Sequence, residues 1–183
     1  MMLKPFEREN VLAMPVVLIS TVSGSGVANV APWGNVTPIL RPLDNIREIG
    51  EFVINVPPAS MIDEVMICSR LYPPDVDEFA EAGLSKKSSS TVSAPGIAGC
   101  VAWIECKLKE EILRDKYSLV IGQVTVLEVK EDFVTDDGDL DYENAEPLCM
   151  LCGGSVIHYT KPVRAGRTAQ YSEMFSWPGK KQD

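Results

Sequence analysis

Cys149-Met150-Leu151-Cys152 has the spacing of a redox dithiol or of half a zinc site, and both chemistries need thiolates held side by side. No second ligand pair accompanies it, and on a strand residues three apart face opposite sides, so it reads as two small buried side chains. The sole histidine, His158, has no Gly-x-Ser-x-Gly elbow to serve, which argues against a hydrolase. Gly24-Ser25-Gly26 opens like a dinucleotide fingerprint. Asn29 stands where its third glycine belongs, however, and a second extended run follows where a helix should, so a hairpin turn is expected. Asp136-Asp137-Gly138-Asp139 invites a calcium loop, but taking Gly138 as position six puts Phe133 at position one; a solvated surface loop is expected. Trp33 and Trp103 are either cofactor platforms or core. Arg41, Lys161, Arg164 and Arg167 are either phosphate ligands or solvated charges.

The elements that must position these residues are mostly strands. Val16 to Thr21 is β-branched and apolar, Val22 to Gly26 supplies turn residues, and Val27 to Val36 is extended again. Phe52 to Val56 is a further strand, stopped by Pro57-Pro58. Met61, Ile62, Val65 and Met66 fall at helical spacing with Ser60 and Asp63 as a cap. A second short helix is expected with Asp75 and Glu78 in capping-box spacing and Gly83 at its end. Between them and the next strand, Lys86 to Ser93 reads as a loop. From Cys100 to Leu108 the even positions are apolar, while Glu105 and Lys107 lie on the opposite, solvent-facing side. Tyr117 to Val129 is a long strand with Gly122 marking a bend, and another strand is expected near Ser155 to Tyr159. Six or so strands with short helices predict a mainly β protein, an antiparallel barrel closed or nearly so, in a single domain over 1–183.

With 183 residues, 45% hydrophobic and 23% charged, the chain is long enough for its own core. A net charge of −9 argues against nucleic acid as a partner. Pro15 interrupts the apolar stretch behind Lys4 and Arg8, so no signal peptide is expected, and no apolar run reaches the roughly 20 residues a membrane span needs. Five cysteines, an odd number, suit reduced thiols and a cytoplasmic location.

Three segments together resemble the flavin reductase-like family that includes flavoredoxins and ferric reductases. The first is Pro15 to Thr21 leading into Asn29-Val30-Ala31-Pro32-Trp33-Gly34-Asn35-Val36-Thr37-Pro38. The second is Gly50 to Pro57, running on to Asp75-Val76-Asp77-Glu78-Phe79 and Gly83-Leu84. The third is Ala94 to Ile97, then Glu105-Cys106, Ile121-Gly122-Gln123-Val124 and Pro147-Leu148. The resemblance implies an FMN-binding split β-barrel of Greek-key-like antiparallel strands that dimerises with FMN at the subunit interface. It also implies that Asn29, Val30, Ala31, Pro32, Trp33, Gly34, Asn35 and Thr37 run along the cofactor. The implied activity is NADH- or NADPH-dependent reduction of flavin or ferric iron, or electron transfer to a redox protein. The alternatives are a flavoredoxin-like carrier without nicotinamide turnover and a dimeric barrel without cofactor. Members of the family follow the Asn-x-Ala-Pro segment with another strand and a Thr-containing turn at the flavin phosphate. Here Pro42-Leu43-Asp44 passes straight into Asn45-Ile46-Arg47, a shortening of roughly 15 residues on ordinary strand lengths, and a helix N-terminus near Asn45 is the substitute anion site.

Overall fold

The computed structural model describes residues 13–34, 41–115, 118–152 and 156–166. A two-residue strand β1 (Met14–Pro15) precedes the hairpin of β2 (Val17–Val22) and β3 (Ala28–Trp33), paired from Val17↔Trp33 to Val22↔Ala28. Its turn closes with the Gly26 amide donating to the Ser23 carbonyl at 2.9 Å, and Gly26 takes a φ of +84° that other residues resist. Helix α1 (Arg41–Ile49) follows, burying Leu43 and Ile46. It ends where Gly50, at φ +75°, donates to the Ile46 carbonyl at 2.8 Å.

Strand β4 (Glu51–Val56) stops at the two prolines as expected. A 3-10 turn over Ala59–Met61 then leads into α2 (Ile62–Cys68), so the helix starts without a side-chain cap and the Ser60–Asp63 pairing is not used. In α3 (Glu78–Glu81) the cap is Asp77, which accepts from the Phe79 amide at 2.9 Å, in place of the expected Asp75. The short strands β5 (Lys86–Lys87) and β6 (Gly96–Ile97) pair with each other, so part of the expected loop is ordered. The long hairpin β7 (Ala102–Leu113) and β8 (Ser118–Val129) carries irregularities at Glu105/Cys106 and Leu108/Glu110. At Gly122 an added Cβ would stand 2.7 Å from the Phe52 ring, so the glycine is there for that ring. The acidic stretch holds more structure than a bare loop: a 3-10 turn at Glu131–Phe133, and α4 (Tyr142–Ala145) capped by Asp141. Strands β9 (Cys149–Cys152) and β10 (Ile157–Thr160) complete the order.

The strands form a five-stranded antiparallel sheet, β3-β2-β4-β7-β8, and a three-stranded one, β1-β9-β10: a split barrel. Leu18, Val30, Val53 and Trp103 pack with Phe79 of α3 and Ile97 of β6. Elsewhere Ile19, Phe52 and Cys106 pack with Ile46 of α1. The 88–97 segment lies over the sheet, tied down by polar groups in it. Asn55 accepts from the Ile97 amide, Glu51 from Ser93, and Glu105 from Ser90 and Thr91. Glu105 is therefore buried, not solvent-facing: the alternation was right, but the segment covers its face. Among the described residues no helix is long and apolar enough to cross a membrane.

Candidate functional site

β3 is an edge strand among the described residues, bonded to β2 on one side only. Its Val30 amide points away from β2 and donates to the carboxylate of Glu78 at 2.9 Å, a buried contact. In an antiparallel ladder the amide and carbonyl of a residue point the same way, and residues two apart share that direction. The Pro32 carbonyl therefore points outward as well, and Pro32 has no N–H to leave open. That edge borders an apolar cavity of about 670 Å³. Ala31, Pro32, Trp33 and Gly34 form one wall. Val65 and Cys68 of α2, with Arg70, Leu71 and Tyr72 just beyond it, form the second, and Met150, Ile157 and Tyr159 of β9 and β10 the third. Gly34 lets the Met150 side chain close in here, since an added Cβ would displace the Met150 methyl.

Arg70 is the one cation among the described residues lining the cavity. Burial, then the nearby Glu78 and Glu64 carboxylates, push the Cys68 thiol up to about 12, so it stays protonated and inert. Burial and Cys152 likewise raise the Tyr159 hydroxyl, which donates to the Met66 sulfur at 3.0 Å. Asn29 Oδ1 and Glu64 Oε2 are buried acceptors without a partner among the described residues.

Of the residues expected at the site, Ala31, Pro32, Trp33 and Gly34 line the cavity, while Asn29 and Val30 are buried in β3 behind that wall. Asn35 and Thr37 lie outside the described residues. Asn45 is no anion ligand: its amide donates to Thr21 Oγ1 at 2.8 Å, fastening α1 to β2, and Asp44 carries a negative charge in that helix's first turn. Lys161 pairs with Glu146 and Arg164 with Glu143, both away from the cavity; Arg167 and the Arg41 side chain lie outside the described residues. Trp103 is core, its indole N–H bonded to the Ile97 carbonyl. His158 is exposed on β10. The walls from α2 and β9–β10 escaped the sequence, although the unusual Arg70-Leu71-Tyr72-Pro73-Pro74 run after a helix was a visible signal for a fixed connection.

The model of the flavin reductase like domain matches residues 41–148, from α1 to the start of β9, leaving the Asn29–Thr37 segment just upstream. An uncharacterized protein of Methanothermobacter thermautotrophicus is 39% identical over 195 residues, covering 96% of this chain and 92% of the relative. That alignment is longer than the 183-residue chain, so the relative carries internal residues with no counterpart here. The fold is similar to nitrilotriacetate monooxygenase component B from Bacillus cereus, with a TM-score of 0.78 at 22% identity over 92% of this chain and 98% of that one. It is also similar to the flavoredoxin of Desulfovibrio vulgaris (Miyazaki F), with a TM-score of 0.77 at 20% identity over 90% and 96%. The chain belongs to the flavin reductase-like family, and its chemistry is flavin-related oxidoreduction.

Proposed function

We propose that the protein is an FMN-binding oxidoreductase, with NADH or NADPH as its first candidate donor, and that the flavin ring lies in the cavity along the outer edge of β3. The observation that carries this is the apolar cavity beside a strand edge whose Val30 amide is held by Glu78 and whose Pro32 carbonyl points outward. The residues fit such a group. The walls are apolar, as a planar ring requires. The Pro32 carbonyl faces outward as an acceptor beside the cavity. For the phosphate, Arg70 is the described cation at hand.

When bound, the flavin supplies the hydride or electron transfer. The chain's own residues do the rest. Glu78 locks the β3 edge through the Val30 amide, so the Pro32 carbonyl is held in place to accept from a ring N–H or a ribityl hydroxyl. Pro32, Trp33 and Met150 exclude water. Cys68 keeps its proton and contributes neither base nor nucleophile. Leu119, Val124 and Leu127 stand half or more exposed on β8, an outer strand suited to a second copy in a homodimer. A reducing compartment such as the cytoplasm suits the free cysteines.

The test is the visible spectrum of purified protein before and after incubation with FMN and desalting, followed by steady-state oxidation of NADH and NADPH. Retained yellow colour is expected; a protein that stays colourless overturns the proposal in favour of a cofactorless barrel. A second reading is favoured by Arg70 being the one cation among the described lining residues in a chain of charge −9, a poor match to a dinucleotide's diphosphate. On that reading the protein is a carrier fed by a redox protein, and flavin is retained without nicotinamide turnover.

A further inference from the structure

The β9–β10 wall of the cavity differs from the others in carrying a hydrogen-bond donor held at little cost. Tyr159 pairs across the ladder with Met150, and the Met150 methyl abuts Gly34 at the end of β3. This places Tyr159 in the lining of the same cavity as the proposed flavin segment. Its partner is a thioether sulfur, Met66 Sδ at 3.0 Å, a weak acceptor that a carbonyl oxygen readily replaces. Burial raises this hydroxyl above the ordinary phenol, so it donates throughout the neutral range. Around it the wall is apolar: Ile157, Met150, and Leu71, which is 93% exposed.

We propose that this wall is the electron-acceptor subsite, that it takes an uncharged planar quinone, and that Tyr159 donates a hydrogen bond to the quinone carbonyl. The inference rests on the flavin reading above. Anionic acceptors are disfavoured by the chain's −9 charge, with Arg70 the one cation among the described lining residues, whereas a neutral ring needs only apolar walls and a donor. The quinone receives a hydride, two electrons and a proton, from N5 of the reduced flavin and a second proton from solvent. It leaves as the hydroquinone, and the flavin returns to its oxidised form. Tyr159 keeps its proton and stabilises the negative charge that develops on the quinone oxygen.

Protein loaded with FMN is dialysed against naphthoquinone and, separately, against its sulfonate, and bound ligand is measured. The neutral compound is expected to bind at least tenfold more tightly. Tyr159→Phe keeps the ring and is expected to weaken naphthoquinone roughly five- to tenfold, the worth of one good hydrogen bond, with the amount of retained flavin unchanged. Leu71→Asp, at a fully exposed rim position, is expected to weaken it further without touching the fold. Equal binding of the sulfonate overturns the subsite's chemistry, and an unchanged Tyr159→Phe overturns the donor. Flavin-loaded protein that excludes naphthoquinone overturns the inference alone; protein that takes no flavin overturns the reading beneath it and the electron transfer with it.

Discussion

Replacing Asn55 by alanine tests whether the polar groups inside the sheet hold the covering segment. Asn55 is fully buried on β4. Its amide donates to the Leu18 carbonyl and Ser20 Oγ at 2.9 Å and to the Val53 carbonyl at 3.2 Å, while its Oδ1 accepts from the Ile97 amide at 2.8 Å. Ser20 keeps its own bond to the Pro95 carbonyl, so its hydroxyl survives the change. The Ile97 amide does not: Ile97 is fully buried and no water reaches it. One orphaned buried donor costs about 1–3 kcal/mol, and the lost bonds to two carbonyls add on the order of 1 kcal/mol. The sum is about 3 kcal/mol, which for a domain of this size lowers Tm by about 6–12 °C. Urea unfolding gives the energy, and hydrogen exchange at Ile97 gives the location, since exchange there should accelerate more than in β2. Asn55→Asp sharpens the test. It keeps the acceptor for Ile97 but sets a carboxylate against two carbonyls. Its folded pKa is then raised above the unfolded one, so the variant is most stable at low pH and loses stability as pH rises. A loss below about 1 kcal/mol for Asn55→Ala, or a pH-independent Asn55→Asp, would refute the reasoning.

The other predictions concern the same scaffold and the cavity. Burial raises the Glu105 carboxyl, but Thr91 and Ser90 as donors and the Lys87 charge outweigh it and leave it below the usual range. Its stabilisation is therefore present above the ordinary carboxylate pKa and lost as pH falls, and Glu105→Gln should flatten that acid limb in a pH series of urea melts. Arg47 and Ser118 hold the partly buried Glu111 carboxyl down to about 2. Arg47→Ala should move its titration toward the ordinary carboxylate value, with Ser118 still holding it below, and shift the acid loss of stability to higher pH. Gly34→Ala pushes only the mobile end of Met150, so Tm should fall little, by the equivalent of less than about 1 kcal/mol. FMN should nonetheless bind about tenfold more weakly by equilibrium dialysis, and adding Met150→Ala should restore it.

The fold was legible wherever a residue's neighbours in sequence decide its environment, and the site was legible only on one of its three walls. Turn chemistry located the β2–β3 hairpin, and Pro57-Pro58 located the end of β4, because both act through the local backbone. Period two placed Cys106 inside correctly and Glu105 outside wrongly. The alternation says which residues share a face, but whether that face meets water depends on the 88–97 segment, whose return over the sheet is a long-range event. Asn55 shows the same limit from the other side. It falls on the buried face with Val53, and the pattern gives a strand without revealing that its amide clamps Ile97. Ala31 to Gly34 could be picked out together because the cavity wall they form is contiguous in the chain. Arg70, Met150 and Tyr159 come from segments some 80 residues apart, and each taken alone looks like a surface cation, a core thioether and a strand aromatic. What joins them is Gly34, whose missing side chain lets Met150 reach the end of β3 and brings the β9–β10 wall against it. The outer edge of β3 has no strand beside it among the described residues, and the Glu78 carboxylate takes up the Val30 amide there. The cavity therefore depends on a carboxylate from α3 for the placing of its polar wall, a long-range tie that no pattern within β3 reveals.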